Sequence, residues 1–192
     1  MNHEIISQLK SQNTWRLFGL TIITWFVYPA HYLRRQTKII NQHCHGEDKI
    51  SDAFVMTILV ISYVSFALFV GSFFVDKSHP LAKASFYNIS LVDILFLVWG
   101  FKARNRMNKI LAAGKSSTEW FHGFWTFILT PIYFNFKVNQ LNLKANQTVE
   151  PIKIQFIIEL CVAFVGVMLY RRFLGDGWFS KFVVDLWHGW FT

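Results

Sequence analysis

Between Ala53 and Val75 the chain runs for 23 residues without one charged side chain. A helix needs roughly 20 predominantly apolar residues to cross a hydrocarbon core about 30 Å thick, so this run is long enough by itself. Only a structure that satisfies its own backbone N–H and C=O groups survives there, which makes the run helical if it lies in lipid. Four further apolar runs follow the same logic: Trp15 to Leu33, Phe86 to Phe101, Trp120 to Phe136 and Ile152 to Tyr170. Composition agrees. Charged residues are 16% of the chain, against about 25% in soluble domains. A soluble fold of 192 residues would also have to hide 21 Phe and 8 Trp, in a molecule whose surface is large for its volume. The expectation is an all-α, polytopic transmembrane protein forming a single integral membrane domain over 1–192. It has about five spans, at 15–33, 53–75, 86–101, 120–136 and 152–170.

The interruptions add detail. Pro29 lies inside the first run and predicts a kink, since proline removes a helix hydrogen bond. Pro131 lies inside the fourth run, which is short, so a re-entrant hairpin competes there with a crossing. Ala67 and Gly71 give the second run a small-xxx-small step for close helix approach. In the tail, Trp178, Phe182, Leu186 and Trp190 recur every four residues, with Lys181, Asp185 and His188 opposite. That pattern predicts an amphipathic interfacial helix over 178–191.

The net charge is +8, and the basic residues cluster just after apolar runs instead of forming one stripe. Anionic headgroups fit that distribution and nucleic acid does not. With five spans, 12 of the 19 Lys and Arg fall in the segments 34–52, 102–119 and 171 onward, which predicts an outside N-terminus and an inside C-terminus. No secretory leader is visible, because residues 1–13 are polar.

Three helix exits resemble one another. The first runs Thr24, Tyr28, Tyr32, Arg35, Lys38, Asn41. The second runs Trp99, Phe101, Arg106, Lys109, with Asn105 and Asn108 interleaved. The third runs Thr130, Tyr133, Phe136, Lys137, Asn139, Asn142. In each, an aromatic residue gives way within two turns to basic and amide residues, as expected of a helix leaving the headgroup layer with its ring at the interface. On this basis Tyr28, Tyr32, Arg35, Trp99, Arg106, Tyr133, Trp178 and Trp190 are expected interface anchors. The pattern of Thr24, Tyr28, Tyr32 and Asn41 resembles an uncharacterised bacterial family of polytopic membrane proteins, a domain of unknown function with segments reading Thr-x-Gly-x-Tyr, then Trp, then a basic helix ending in Asn. The likeness covers 24–41 and part of 126–142, with Phe26 at the glycine position and Tyr32 at the Trp position. It implies a multi-pass protein of the bacterial inner membrane and carries no activity.

Asp93 and Glu159 sit inside apolar runs, where a carboxylate is expensive and serves either ion or proton movement or a helix-holding polar contact. His43, Cys44 and His45, beside Glu47, Asp48 and Asp52, are the nearest approach to a metal site. Adjacent residues cannot converge on one ion, and no second ligand pair at zinc spacing exists, so a solvated loop is preferred. Cys161 reads as a packing residue. No nucleophile elbow, P-loop, His-Glu-x-x-His or dinucleotide turn is present. No enzyme activity and no cofactor are therefore expected. The expected function is that of an accessory or scaffold subunit of a membrane complex, its partners being other membrane subunits or further copies of itself. The alternative is a small oligomeric ion or proton channel or transporter using Asp93 and Glu159.

Overall fold

A computed structural model describes residues 4–9, 12–76 and 78–146. The expected span at 152–170, the interfacial helix at 178–191, and with them Glu159, Trp178 and Trp190, lie outside the described residues. Among the described residues the chain is all-helical: α1 (Glu4–Gln8), α2 (Thr14–Ile23), α3 (Val27–Gln42), a 3-10 turn (Gly46–Asp48), α4 (Asp52–Ser72), α5 (Pro80–Ile110), α6 (Gly123–Leu129) and α7 (Ile132–Asn146).

Two stretches are long and apolar enough to cross a membrane: Gly46–Ser72, which contains α4, and Pro80–Ile110, which is α5. Their ends are set by capping. The Ser51 side chain accepts from the N–H of Phe54 at the start of α4, and His79 Nδ1 accepts from Leu81 at the start of α5. Pro80 opens α5 at the position where its missing N–H costs nothing. On α4, Val55, Ile58, Leu59, Ser62 and Ser65 are buried; on α5, Val92, Phe96, Trp99, Ala103 and Met107 are. Both sets follow the three-and-four spacing of one helix face. The two helices run antiparallel: Gly71 lies against the Leu81 side chain near the turn, and Phe54 lies under Lys102 at the opposite end. Helix α5 does not stop at Phe101. It continues one charged stretch further, so the first half of the expected loop at 102–119 is helix.

The expected first span is not one helix. Chain direction changes at Thr24-Trp25-Phe26, where Trp25 (φ 45°) and Phe26 (φ 71°) adopt left-handed backbone that side-chain-bearing residues seldom take. Thr24 holds this break, donating its hydroxyl to Leu20 O at 2.6 Å and accepting the N–H of Tyr28 at 2.9 Å. Trp25 then stacks on Phe69 of α4, with ring centroids 3.6 Å apart, and Phe26 meets Phe96 of α5 edge-on. Pro29 falls in the first turn of α3, where the N–H has no helical partner, so the expected proline kink is absent. In one straight helix Gln8 and His43 would stand roughly 50 Å apart. They are instead hydrogen-bonded at 2.9 Å, and the Tyr28 hydroxyl donates to Gln12 at 2.7 Å. The N-terminal lead therefore returns along α3 and shares an end with residues 43–48.

The expected fourth span at 120–136 is likewise two helices, broken at the cis Thr130–Pro131 bond. As one helix it would hold His122 and Tyr133 about 16 Å apart, and Thr118 and Lys137 about 28 Å apart. In the fold the Tyr133 hydroxyl accepts the N–H of His122 at 2.9 Å, and Lys137 Nζ donates to Thr118 O at 2.6 Å. The chain therefore reverses direction between α6 and α7 instead of running straight through 120–136.

Candidate functional site

The features that chemistry would use gather at the end of the α4–α5 hairpin opposite its turn, where residues 43–51 and 111–122 cross over the C-terminal half of α5. Two asparagines hold these loops by the same device. Asn41, in the last turn of α3, donates to Ile50 O and accepts from Ile50 N, both at 2.8 Å. Asn108, in the last turn of α5, donates to Phe121 O at 3.2 Å and accepts from Phe121 N at 2.8 Å. A side-chain amide presents a donor and an acceptor side by side, so it pairs with one residue's backbone as a neighbouring strand would. On α7, Asn135 and Asn139 both donate to Gln12 O, at 2.9 and 2.7 Å, and reach the Thr14 hydroxyl.

Arginines add to the stitching. Arg106 donates to Asp48 O at 2.7 Å, and Arg104 donates to Phe121 O at 2.8 Å. Lys109 pairs with the Asp48 carboxylate. The hydrogen bond from Lys109 is the main reason the Asp48 carboxyl lies below its ordinary value. Beneath this layer, Trp99 donates its indole N–H to the Thr37 hydroxyl at 2.8 Å, and its ring meets Phe134.

These contacts change the reading of the expected anchors. Tyr32 and Trp99 are fully buried, and Tyr133 is 7% exposed. They pack against protein and are not available to a headgroup layer. Arg106 is held inward by Asp48, and Tyr28 by Gln12; Arg35 is half-buried. The exits do repeat, as their sequences propose, but each repeat ends in an amide that turns inward to seize backbone. A signal for this existed: Asn41 and Asn108 sit in last helical turns and are followed by Gly46 and Gly114, the arrangement of a helix end leading into a pinned turn.

Gly100 escaped notice in the sequence. A Cβ there would lie 2.5 Å from the Thr130 hydroxyl and 2.6 Å from its methyl, so only glycine lets the α6–α7 tip sit against α5.

Asp93 lies half-buried in the middle of α5, with no side-chain hydrogen bond or ion pair among the described residues. His43, Cys44 and His45 do not converge. His43 bonds Gln8, Cys44 is buried, and His45 is exposed. Burial also raises the Cys44 thiol above its ordinary value. Among the described residues no three His, Cys, Asp or Glu side chains are grouped to hold an ion. No protein-family model, no curated protein and no solved structure matches the chain.

Proposed function

We propose that the protein is a non-enzymatic integral membrane protein of the bacterial inner membrane, anchored by α4 and α5, that serves as an accessory or scaffold subunit of a membrane complex. One observation carries the reading: the two helices long and apolar enough to span are also left largely uncovered. Only 28% of the most apolar window of the first and 17% of the second is buried, and Val60, Phe73, Phe74, Phe86, Tyr87 and Ile94 are exposed by half or more. A soluble core helix is covered, whereas a contiguous apolar surface of this kind fits lipid or partner helices. At the other end, the polar side chains that catalysis would draw on are committed to holding loops. That supports a structural role.

The test is gentle extraction from native membranes followed by particle mass and identification of co-purifying chains. A defined hetero-complex is expected; a homo-oligomer alone would favour the second reading below, and a stable lone monomer would overturn the scaffold role. Asp93 favours a second reading as an ion or proton path, because a mid-helix carboxylate with no partner among the described residues is costly in lipid. Flux through vesicles that survives Asp93→Asn unchanged would end that reading.

A further inference from the structure

Helix α6 has seven residues and rises about 10 Å, a third of the hydrocarbon thickness, so it cannot cross. Its docking on α5 fixes its level. A Cβ on Gly123 would stand 3.4 Å from the Arg104 guanidinium carbon, and Thr130, just past the end of α6, presses on Gly100 one turn away. That is where α5 changes character. Residues 84–101 carry a single charge, Asp93, whereas Lys102, Arg104, Arg106 and Lys109 follow within two turns.

At this level α6 turns Thr126 and Leu129 inward, while Phe124 and Phe127 are 66% and 63% exposed. Three residues apart, the two phenyl rings share one helix face. Beside them Arg104 lies over the Trp120 ring, 5.5 Å from its centroid, a pairing suited to the depth where an apolar body meets a polar layer. The exposed apolar surface of α5, including Ile94 and Val98, lies on the same helix that α6 packs against.

We propose that α6 is an interfacial wedge. Phe124 and Phe127 enter the acyl boundary of the leaflet at the basic end of the molecule, and the hairpin returns to that side without reaching the other leaflet. The partner is the lipid surface of one leaflet, and insertion adds apolar volume to that leaflet only. This rests on the reading of α4 and α5 as the membrane hairpin.

The experiment uses the full chain in phospholipid vesicles, with Cys44 and Cys161 replaced by serine and single cysteines introduced by Phe127→Cys, Phe124→Cys or Val60→Cys, each carrying an environment-sensitive fluorophore. Quenching is compared for aqueous dithionite and for lipids spin-labelled at shallow or deep acyl positions. Labels at 127 and 124 should resist dithionite several-fold longer than one at Ser116→Cys in the basic loop, and should be quenched more by shallow than by deep spin labels. The label at 60 should favour the deep ones. Rapid dithionite quenching at 127 and 124, protection from every quencher (cover by protein), or stronger deep quenching (a crossing) would each overturn the wedge. If the label at 60 is also open to dithionite, the membrane reading itself fails, so the two failures are separable. Both Phe sites are exposed, so one substitution serves if the other impairs folding.

Discussion

The two ends of the α4–α5 hairpin are held by different physics. Toward the turn at 73–79 the contacts are aromatic and aliphatic, with Trp25 on Phe69, Phe69 on Phe73 and Gly71 under Leu81. Dispersion and apolar burial of this kind tolerate shape-conserving changes. At the basic end, loops are fixed by directional bonds from Asn41, Asn108, Arg104 and Arg106 to backbone atoms. Each such bond has one geometry and no substitute. The comparison teaches that the apolar end is held by contacts without direction, while the basic end must keep one shape.

Substitutions that separate the two ends sharpen this contrast. The largest effect is expected at Gly100→Leu, which drives a side chain into Thr130. At the upper end of over-packing costs, about 3 kcal/mol, it should displace the α6–α7 hairpin and lower the unfolding midpoint in micelles. An unchanged midpoint would mean that α6 does not rest on α5.

Asn108→Ala comes next. It strands the buried N–H of Phe121, which costs about 1–3 kcal/mol, and should speed proteolysis within 111–122 while leaving α4 protected from hydrogen exchange. Asn41→Ala should act the same way on 43–51, at the lower end of that range, because its site is only part-buried. Trp99→Phe, which removes the bond to Thr37 but keeps most of the ring, is expected to cost about 1 kcal/mol.

By contrast, Val60→Ala on the exposed apolar face should stay within about 0.5 kcal/mol in micelles, as surface changes do. A large loss there would show that a protein neighbour covers the face.

The smallest effect belongs to Asp48→Asn. Asp48 pairs with Lys109 in solvent, so the pair is well screened. Because the folded carboxyl is shifted below its ordinary value, the stabilisation is present above about pH 4 and disappears as pH falls through the folded value. Melting wild type and Asp48→Asn side by side should give midpoints that differ slightly near neutrality and converge in acid. A difference that grew in acid would reverse the assignment.

Much of the exposed apolar surface was legible in the residues. The uncharged run from Ala53 to Val75 covers all of α4 except its first residue, Asp52, whereas the third span is expected from Phe86 and α5 begins six residues earlier, at Pro80. Less of the basic end was. The repeated exits drew attention to Asn41, Asn108 and Asn139, but spacing along a helix does not say whether an amide meets water or a neighbouring backbone. Tyr32 and Trp99 read as interfacial by residue type, and are interior because α3, α5 and α7 close around them.

What the sequence determined alone is helicity and the long apolar stretches that α4 and α5 carry, since both follow from local composition and continuity. What tertiary structure decided is where the apolar runs at 15–33 and 120–136 break and reverse. Hydropathy sums side chains and is blind to the direction of the chain. The reversals at 24–26 and 130–131 rest on left-handed Trp25 and Phe26, on the hydroxyls of Thr24 and Tyr133, and on the space left by Gly100. Each of these becomes favourable only once α4 and α5 supply a wall for the turned chain to lean on.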